Sequence, residues 1–463
     1  MKFNKLRKEL ILKMKDIIKP SILPGFMELL PKDQIIFNDM VKKITKVYEN
    51  SGFMPIDTPI IEKAEVLLAK SAGETEKQVY MFTRGKNELA LRFDLTVPFS
   101  RYVAQHYNEL TFPFKRYQIG KVYRGERNQR GRYREFYQCD VDIVGNSKLD
   151  IKNDALIVNT VYKALMSIGI KDFKIQISNR KILKGILEEL QVNNENEVMI
   201  LIDKIDKISR VEFEQELNKL VGDTKSKKLI ELIMIAGNNK EILSKLKEID
   251  SDNELYKLGV EELQIVIDVL SLFGVKEDNI KIDLKIIRGL DYYTGTVFET
   301  ILNNHEEFGS ISSGGRYDNL AENYTTCKLP GVGMSIGITR LFYVLSEIGF
   351  LDDYIEKDTL DYLIIPIGDT FEYAAKIYEA LQKEETRVDI YLDNDKFKKI
   401  MNYANKIDAK NIILVGEEEM KSGVVSIKNM ISGEQRTVQA TSAVQATPRG
   451  GLDTSQGCLE LIW

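Results

Sequence analysis

The chain has 463 residues, 43% of them hydrophobic and 29% charged, so it can bury large cores divided among two or three domains. Gly 30 and Pro 10 are ordinary or low counts for that length and exclude wholesale disorder and collagen-like architecture. The net charge of -5, from Lys+Arg 65 against Asp+Glu 70, argues against a uniformly basic nucleic-acid coat but leaves room for a local basic patch.

The N-terminal MKFNKLRKELILKMKDIIKP carries Lys or Arg through any would-be apolar core, so it is not a secretory signal. No stretch approaches the roughly 18 apolar residues that span a bilayer, and no membrane partner is expected. From Lys32 to Asn50, the residues Ile35, Ile36, Met40, Ile44 and Val47 recur at helical spacing, predicting an amphipathic helix that stops before Ser51 and Gly52. An extended, Pro-punctuated segment, FMPIDTPIIE, follows. Between Tyr80 and Val144 the runs VYMFT, LALRF, YQIGKVYR and FYQCDVDIVG predict an antiparallel sheet. Asp154 to Ser167 reads as a helix and FKIQIS as a further strand.

Residues 190–275 change in texture, with Leu, Ile, Lys and Glu at helical spacing, and predict an inserted helical module. The strand pattern returns in IKIDLKII, TVFETIL and SISSGGRYD, and closes in the Gly-rich GVGMSIGITRL entering a helix. From Asp361, YLIIPI, a helix around TFEYAAKIYEALQ, RVDIYL, a helix around FKKIMNYANKI, and NIILVG alternate, predicting a small α/β domain with a largely parallel sheet. From Ala440 the chain carries only Arg449, Asp453 and Glu460 as charges, together with its sole tryptophan, Trp463. That end reads as an expression scar or a frameshift in preference to a native flexible tail.

Cys139, Cys327 and Cys458 contain no C-x-x-C pair, and His106 and His305 are the only histidines, so neither a disulfide scaffold nor a His/Cys zinc site is expected. An odd cysteine count in a large chain suits a reducing cytoplasm. The segment KRYQIGKVYRGERNQRGRYR gathers Lys115, Arg116, Lys121, Arg124, Arg127, Arg130, Arg132 and Arg134 against one acid, Glu126. Guanidinium forks bind phosphate oxygens bidentately, so a loop of this composition suits a polyphosphate or an RNA end; a solvated basic hairpin is the plain alternative.

RGLDYYTG, from Arg288 to Gly295, offers a guanidinium, a carboxylate and two phenols, able to neutralise a phosphoryl transition state and hydrogen-bond a polar substrate. SSGGRYDNL, from Ser312 to Leu320, supplies glycines where backbone can approach a ligand. Either could be a structural turn with an aromatic plug. The glycines of GVGMSIGITRL miss the G-x-G-x-x-G spacing, and no G-x-x-x-x-G-K-[ST] loop occurs anywhere, so neither a dinucleotide fold nor a P-loop is supported.

These segments together resemble the histidyl-tRNA synthetase family of class II aminoacyl-tRNA synthetases. FMPIDTPIIE resembles motif 1 of the class, RYQIGKVYRGERNQRGRYREFYQCDVDIVG motif 2 with its loop, and GVGMSIGITRL motif 3. RGLDYYTG and SSGGRYDNL resemble the two signatures peculiar to the histidine enzymes, and the likeness spans nearly all of residues 20–440.

The resemblance implies an α+β protein: an antiparallel sheet of six or seven strands flanked by helices, a helical insertion and a C-terminal α/β anticodon-binding domain. Its boundaries would be 1–189 and 276–355 for the discontinuous catalytic domain, 190–275 for the insertion, 358–440 for the anticodon domain and 441–463 for the atypical tail. It implies a cytoplasmic homodimer, with Pro59 at the dimer interface, that activates L-histidine with ATP and Mg2+ and esterifies the 3' end of tRNA(His). No structural metal is implied.

By position, Arg124 and Arg340 would hold ATP phosphates, with Glu126 near the adenine and Arg132 assisting, and Arg288 would sit at the α-phosphate. Asp94, Leu95 and Thr96 of LRFDLTVP, with Gln138, would receive the amino group and carboxylate of histidine. Asp142 and Tyr293 would hydrogen-bond the imidazole beside Tyr292, while Arg127 and Arg130 would meet the tRNA acceptor end. A carboxylate facing one ring nitrogen and a phenol facing the other would reject singly polar side chains by leaving buried groups unpaired.

Two rivals share the fold: a regulatory subunit paired with ATP phosphoribosyltransferase, and a non-catalytic RNA-binding module. Both would tolerate degraded signatures, whereas Arg124, Gln138, Arg288, Tyr292, Tyr293 and Arg340 are all present. The chain departs from the pattern in reading PGFMELLP where many relatives carry a Gly-Thr-x-Asp turn, and in its tail.

Overall fold

The computed structural model describes residues 18–69, 77–126, 130–205, 208–286, 292–352, 354, 360–384 and 386–439. Arg127, Arg288 and the tail 441–463 therefore lie outside the described residues. The chain divides into two compact units, Met1–Glu28 with Met40–Phe350, and Leu29–Asp39 with Leu351–Trp463. No helix among the described residues is long and apolar enough to cross a membrane.

The larger unit is built on an eight-stranded sheet. In chain order its strands are β1 (Met54–Pro55), β5 (Phe114–Tyr123), β6 (Glu135–Val144), β7 (Phe173–Asn179), β8 (Ile280–Ile282), β9 (Thr296–Leu302), β10 (Ser312–Tyr317) and β11 (Gly331–Ile336). Their spatial order is β1-β5-β6-β11-β10-β9-β7-β8. The six inner strands pair antiparallel, as expected, while the short edge strands β1 and β8 pair parallel with β5 and β7. IKIDLKII contributes only the three residues of β8.

VYMFT and LALRF do not join this sheet. They form a separate three-stranded sheet of β2 (Ile61–Lys63), β3 (Met81–Arg84) and β4 (Asn87–Leu91) in the order β2-β4-β3. Every residue of β3 is exposed, which suits a short edge ribbon and not an interior strand covered by helices.

The alternation in β6 positions the site. Cys139, Val141 and Ile143 are fully buried on one face, where the hydroxyl of Tyr48 donates to the carbonyl of Cys139 at 3.1 Å. Gln138, Asp140 and Asp142 occupy the other face, because successive side chains point to opposite sides of a strand. They too are buried.

Among the described residues, five helices lie between Glu195 and Leu272, where the sequence predicts an insertion. Ser209 accepts from the amide of Glu212, and Asn238 with Glu241 forms a reciprocal capping box, so these helix starts are encoded locally. The last of the five, Glu254–Leu272, packs on the helices Arg180–Glu189 and Lys152–Ser167.

The smaller unit has a five-stranded sheet of β12 (Leu360–Pro366), β13 (Val388–Ile390), β14 (Ala409–Val415), β15 (Val424–Asn429) and β16 (Gln435–Gln439), in the order β13-β12-β14-β15-β16. The expected parallel sheet holds for β13, β12 and β14 alone. β15 and β16 add by antiparallel pairing, since short connections permit hairpins and parallel returns do not. Ile364 faces one core with Ile377 and Ile413, and Leu363 and Ile365 face another with Ile400 and Ile412.

Candidate active site

Two cavities meet in the larger unit. One, of about 250 Å3, is lined by Arg124, Glu126, Arg132, Tyr133, Phe136 and Arg340, with serines from β10 and β11. The other, of about 210 Å3, is lined by Asp94, Thr96, Asp140, Asp142, Tyr292, Tyr293 and Tyr317. Arg124, Gln138, Ser313 and Ser335 line both. A cationic chamber thus opens onto a carboxylate and phenol pocket, with Arg124 at the junction.

In the cationic chamber, the guanidinium of Arg124 lies 5.1 Å from the centre of the Phe136 ring and its Nε donates to the carbonyl of Phe93 at 3.0 Å. These contacts hold the guanidinium in a fixed position, ready for an anion. Arg340 comes from the first turn of the helix Ile338–Glu347 and donates through Nη2 to the carbonyl of Phe308. Its Nε is buried with no partner among the described residues. Burial, reinforced by the like charge of Arg132, lowers the pKa of Arg340. Arg132 and Glu126 face one another at 3.4 Å, and both border the chamber.

In the second pocket Asp94 precedes the helix Thr96–Gln105, and its Oδ1 accepts from the amide of Val97 at 3.0 Å. Its Oδ2 accepts from the hydroxyl of Tyr292 at 3.2 Å. Burial raises the Asp94 carboxyl against the pull of that amide and of Arg124. Thr96 lines the pocket, whereas the side chain of Leu95 is packed in the core and its carbonyl accepts from Arg116 at 3.3 Å.

Asp142 lies 2.7 Å from Nη2 of Arg116 and accepts from the hydroxyl of Tyr317 at 2.7 Å. Burial raises its carboxyl, opposed by both partners. Burial likewise raises Tyr292, Tyr293 and Tyr317, so all three remain neutral phenols able to donate and to accept. Tyr292 stands edge-on to Tyr293, ring centres 5.0 Å apart.

The basic segment separates into different roles. Arg116 is fully buried over the Phe99 ring and serves the carboxylates, Lys121 pairs with Glu135 at 2.8 Å, and Arg134 donates to the carbonyl of Glu126 at 3.0 Å. Arg130 is exposed outside both cavities, held to Glu347 at 2.7 Å and to the hydroxyl of Tyr343 at 3.2 Å. Among the described basic residues of this run, only Arg124 and Arg132 border the cationic chamber. Pro59 is exposed, in a stretch that also exposes Met54 at 61%, Ile60 at 41% and Ile61 at 48%.

The sequence reading did not single out Asp140 or Tyr317, which line the pocket, nor the structural role of Arg116. The alternation in QCDVDI held the signal for Asp140: its polar half faces inward, and a buried polar strand face is expensive unless it meets partners or a ligand. Burial, with Asp142 and Asp94 adding to it against the opposing Arg116, pushes the Asp140 carboxyl up to about 7.

Comparison with known proteins finds histidyl-tRNA synthetases along most of the chain. The family model described as histidyl-tRNA synthetase matches residues 25–341, and an anticodon binding domain model matches residues 361–447. A histidine–tRNA ligase of Clostridium acetobutylicum is 61% identical over 423 residues, covering 91% of this chain and 98% of its own. Another, of Clostridium tetani, is 52% identical over 432 residues, covering 93% and 98%. The crystal structure of histidyl-tRNA synthetase from Nostoc sp. PCC 7120 superposes with a TM-score of 0.83 at 36% identity, covering 92% of this chain and 98% of that one.

Proposed function

The chain belongs to the histidyl-tRNA synthetase family, and on that premise we propose how its residues divide the work of a histidine–tRNA ligase. The ligase activates L-histidine with ATP to histidyl-adenylate and pyrophosphate, then transfers histidine to the 3' end of tRNA(His). The observation that carries the division is the pair of joined cavities with Arg124, Gln138, Ser313 and Ser335 common to both.

ATP occupies the cationic chamber, its phosphates met by Arg124 and by the buried Nε of Arg340, with Glu126 near the adenine and Arg132 beside it. Arg288, outside the described residues, takes the α-phosphate by its place in the RGLDYYTG signature. Histidine occupies the second pocket with its carboxylate at the junction, which brings the attacking oxygen and the α-phosphorus together. That step needs no protein nucleophile, only alignment and compensation of the charge that develops on the phosphoryl oxygens. Asp94, Thr96 and Gln138 receive the amino group and carboxylate, and Asp142 and Tyr293 the imidazole. A carboxylate already anchored by Arg116 and Tyr317 keeps one fixed orientation toward a ring N–H.

Mg2+ enters as the counter-ion of ATP. The cationic chamber offers one carboxylate, Glu126, and the described residues contain no group of three or more His, Cys, Asp or Glu that could hold a metal, so the phosphates themselves would carry the ion. The exposed apolar stretch around Pro59 supports a homodimer, and the cytoplasm is the compartment such a ligase serves. Residues 358–440 bind the anticodon and 190–275 form the insertion. Arg130, and Arg127 outside the described residues, meet the acceptor end; 441–463, also outside them, are an atypical, non-native tail.

Amino-acid-dependent exchange of labelled pyrophosphate into ATP, run with each of the twenty amino acids before tRNA is added, tests this reading. Exchange with histidine alone is expected. No exchange with any amino acid from folded protein overturns it.

A further inference from the structure

Four carboxylates line the histidine pocket, Asp94, Asp140, Asp142 and Glu299, and the family signatures account for only two. Gln138, Asp140 and Asp142 follow one another along the inward face of β6, each step advancing about 7 Å along the strand. Asp142 has both oxygens engaged, by Arg116 and Tyr317. Asp140 does not. Its carboxyl is hydrogen-bonded by Ser335 and its Oδ2 is 4.0 Å from Arg116, but its Oδ1 is buried with no partner among the described residues. The same holds for Oε1 of Gln138, whose amide nitrogen is used on the hydroxyl of Ser335 at 2.9 Å.

Two buried acceptors thus stand unpartnered on neighbouring positions of one face, lining one pocket. Buried acceptors of this kind cost free energy unless something donates to them. The shortage is also one of charge, because Asp140 and Asp142 share the single guanidinium of Arg116. A group that donates several N–H bonds and carries a positive charge would meet both needs, and a primary ammonium does so.

Position along β6 selects which part of the substrate this is. Gln138 belongs to both cavities, where the reacting carboxylate must lie, and Asp142 lies two steps deeper among the phenols suited to the ring. The carbon bearing the amino group is bonded to the carboxylate carbon, so the ammonium falls between the two, beside Asp140.

We propose that Asp140 binds the α-ammonium group of the histidine substrate, jointly with Oε1 of Gln138. This rests on the histidine-activating reading above. Asp140 supplies charge and direction there while Asp94, already bonded to Val97 and Tyr292, bounds the other side. It adds a contact that a substrate lacking the amine cannot make.

The test compares two inhibitors of histidine-dependent pyrophosphate exchange in wild type and Asp140→Asn: histidinol, with amine and ring but no carboxylate, and imidazolelactate, with a hydroxyl in place of the amine. The substitution keeps shape and removes charge. It is expected to raise KI for histidinol and KM for histidine about tenfold or more, while KI for imidazolelactate and KM for ATP stay within about twofold. An equal change for both inhibitors, including loss of both, or no change for histidinol, overturns the assignment. Should Asp140→Asn be insoluble, Asp140→Ser is judged by the same ratio. Wild type without histidine-dependent exchange overturns the functional reading and this inference together, whereas exchange with an unaltered inhibitor ratio overturns this inference alone.

Discussion

Gly333 and Asp142 face one another across the ladder of β11 and β6, and a Cβ on Gly333 would stand 1.9 Å from Oδ1 of the carboxylate. The missing side chain on one strand is the space in which the anionic side chain of the next strand turns toward Arg116 and Tyr317. A glycine of GVGMSIGITRL therefore shapes the carboxylate and phenol pocket by packing.

Gly333→Ala should drive Asp142 from that position. We expect KM for histidine in pyrophosphate exchange to rise by about tenfold or more, with KM for ATP changed far less, since the loss of a charge-assisted contact is worth on the order of 1.5–3 kcal/mol. An unchanged KM for histidine would show that the carboxylate does not depend on this space.

Arg116→Met should be costly for stability. It removes the guanidinium from a pair whose side chains are 0% and 2% exposed and leaves buried carboxylates uncompensated, a change that typically costs about 3–5 kcal/mol. Urea unfolding should show it as a shift in midpoint. Adding Asp142→Asn should restore part of the loss, because the stranded charge is then gone; a double variant no better than the single one would contradict this account.

Stability of the substrate-free protein should fall as pH rises from 5 to 8, in part through Asp140. A carboxyl whose folded pKa is raised holds its proton more tightly when folded, so its contribution is complete below the unfolded value of about 4. That contribution is lost as pH rises through the folded value of about 7. Melting temperatures across this range should decline less steeply for Asp140→Asn than for wild type.

Arg340→Ala and Arg130→Ala should divide the two half-reactions. Arg340 borders the cationic chamber, and its loss should lower histidine-dependent exchange by about 100-fold or more. Arg130 is exposed and outside both cavities, so its loss should leave exchange intact. Aminoacylation of tRNA should then fall several-fold if it meets the acceptor end; equal rates in both assays would assign it to anchoring the helix Ile338–Glu347 through Glu347 alone.

Much of the site was legible as composition at short spacing. Arg124, Glu126 and Arg132 lie within one basic segment, and Asp94 with Thr96 within one turn, so local order carries them. Arg116 belongs to that same segment and reads as one more phosphate ligand, yet it faces the protein interior. Linear charge density does not say which face of a strand a side chain takes; that depends on what the neighbouring strands present. Leu95 shows the converse, since adjacency to Asp94 and Thr96 did not bring its side chain to the pocket.

Secondary structure divided in the same way. Helix starts such as Ser209 and Asn238 are satisfied within three residues, and the alternation of β6 is visible in its letters. Sheet membership is not a local property. The ribbon of β3 and β4 has strand composition like β5, but its pairing partner is β2 and β3 stays in solvent.

The sequence by itself determined the α+β class, the strand and helix positions near the motifs, and the family, because each depends on residue types at fixed short separations. Tertiary structure alone decided that the cationic chamber and the carboxylate and phenol pocket share Arg124 and Gln138, that Arg116 serves Asp142, and that Oδ1 of Asp140 is left without a partner among the described residues. Those are relations between strands distant in sequence, set by pairing register and by which side chains compete for the same buried space.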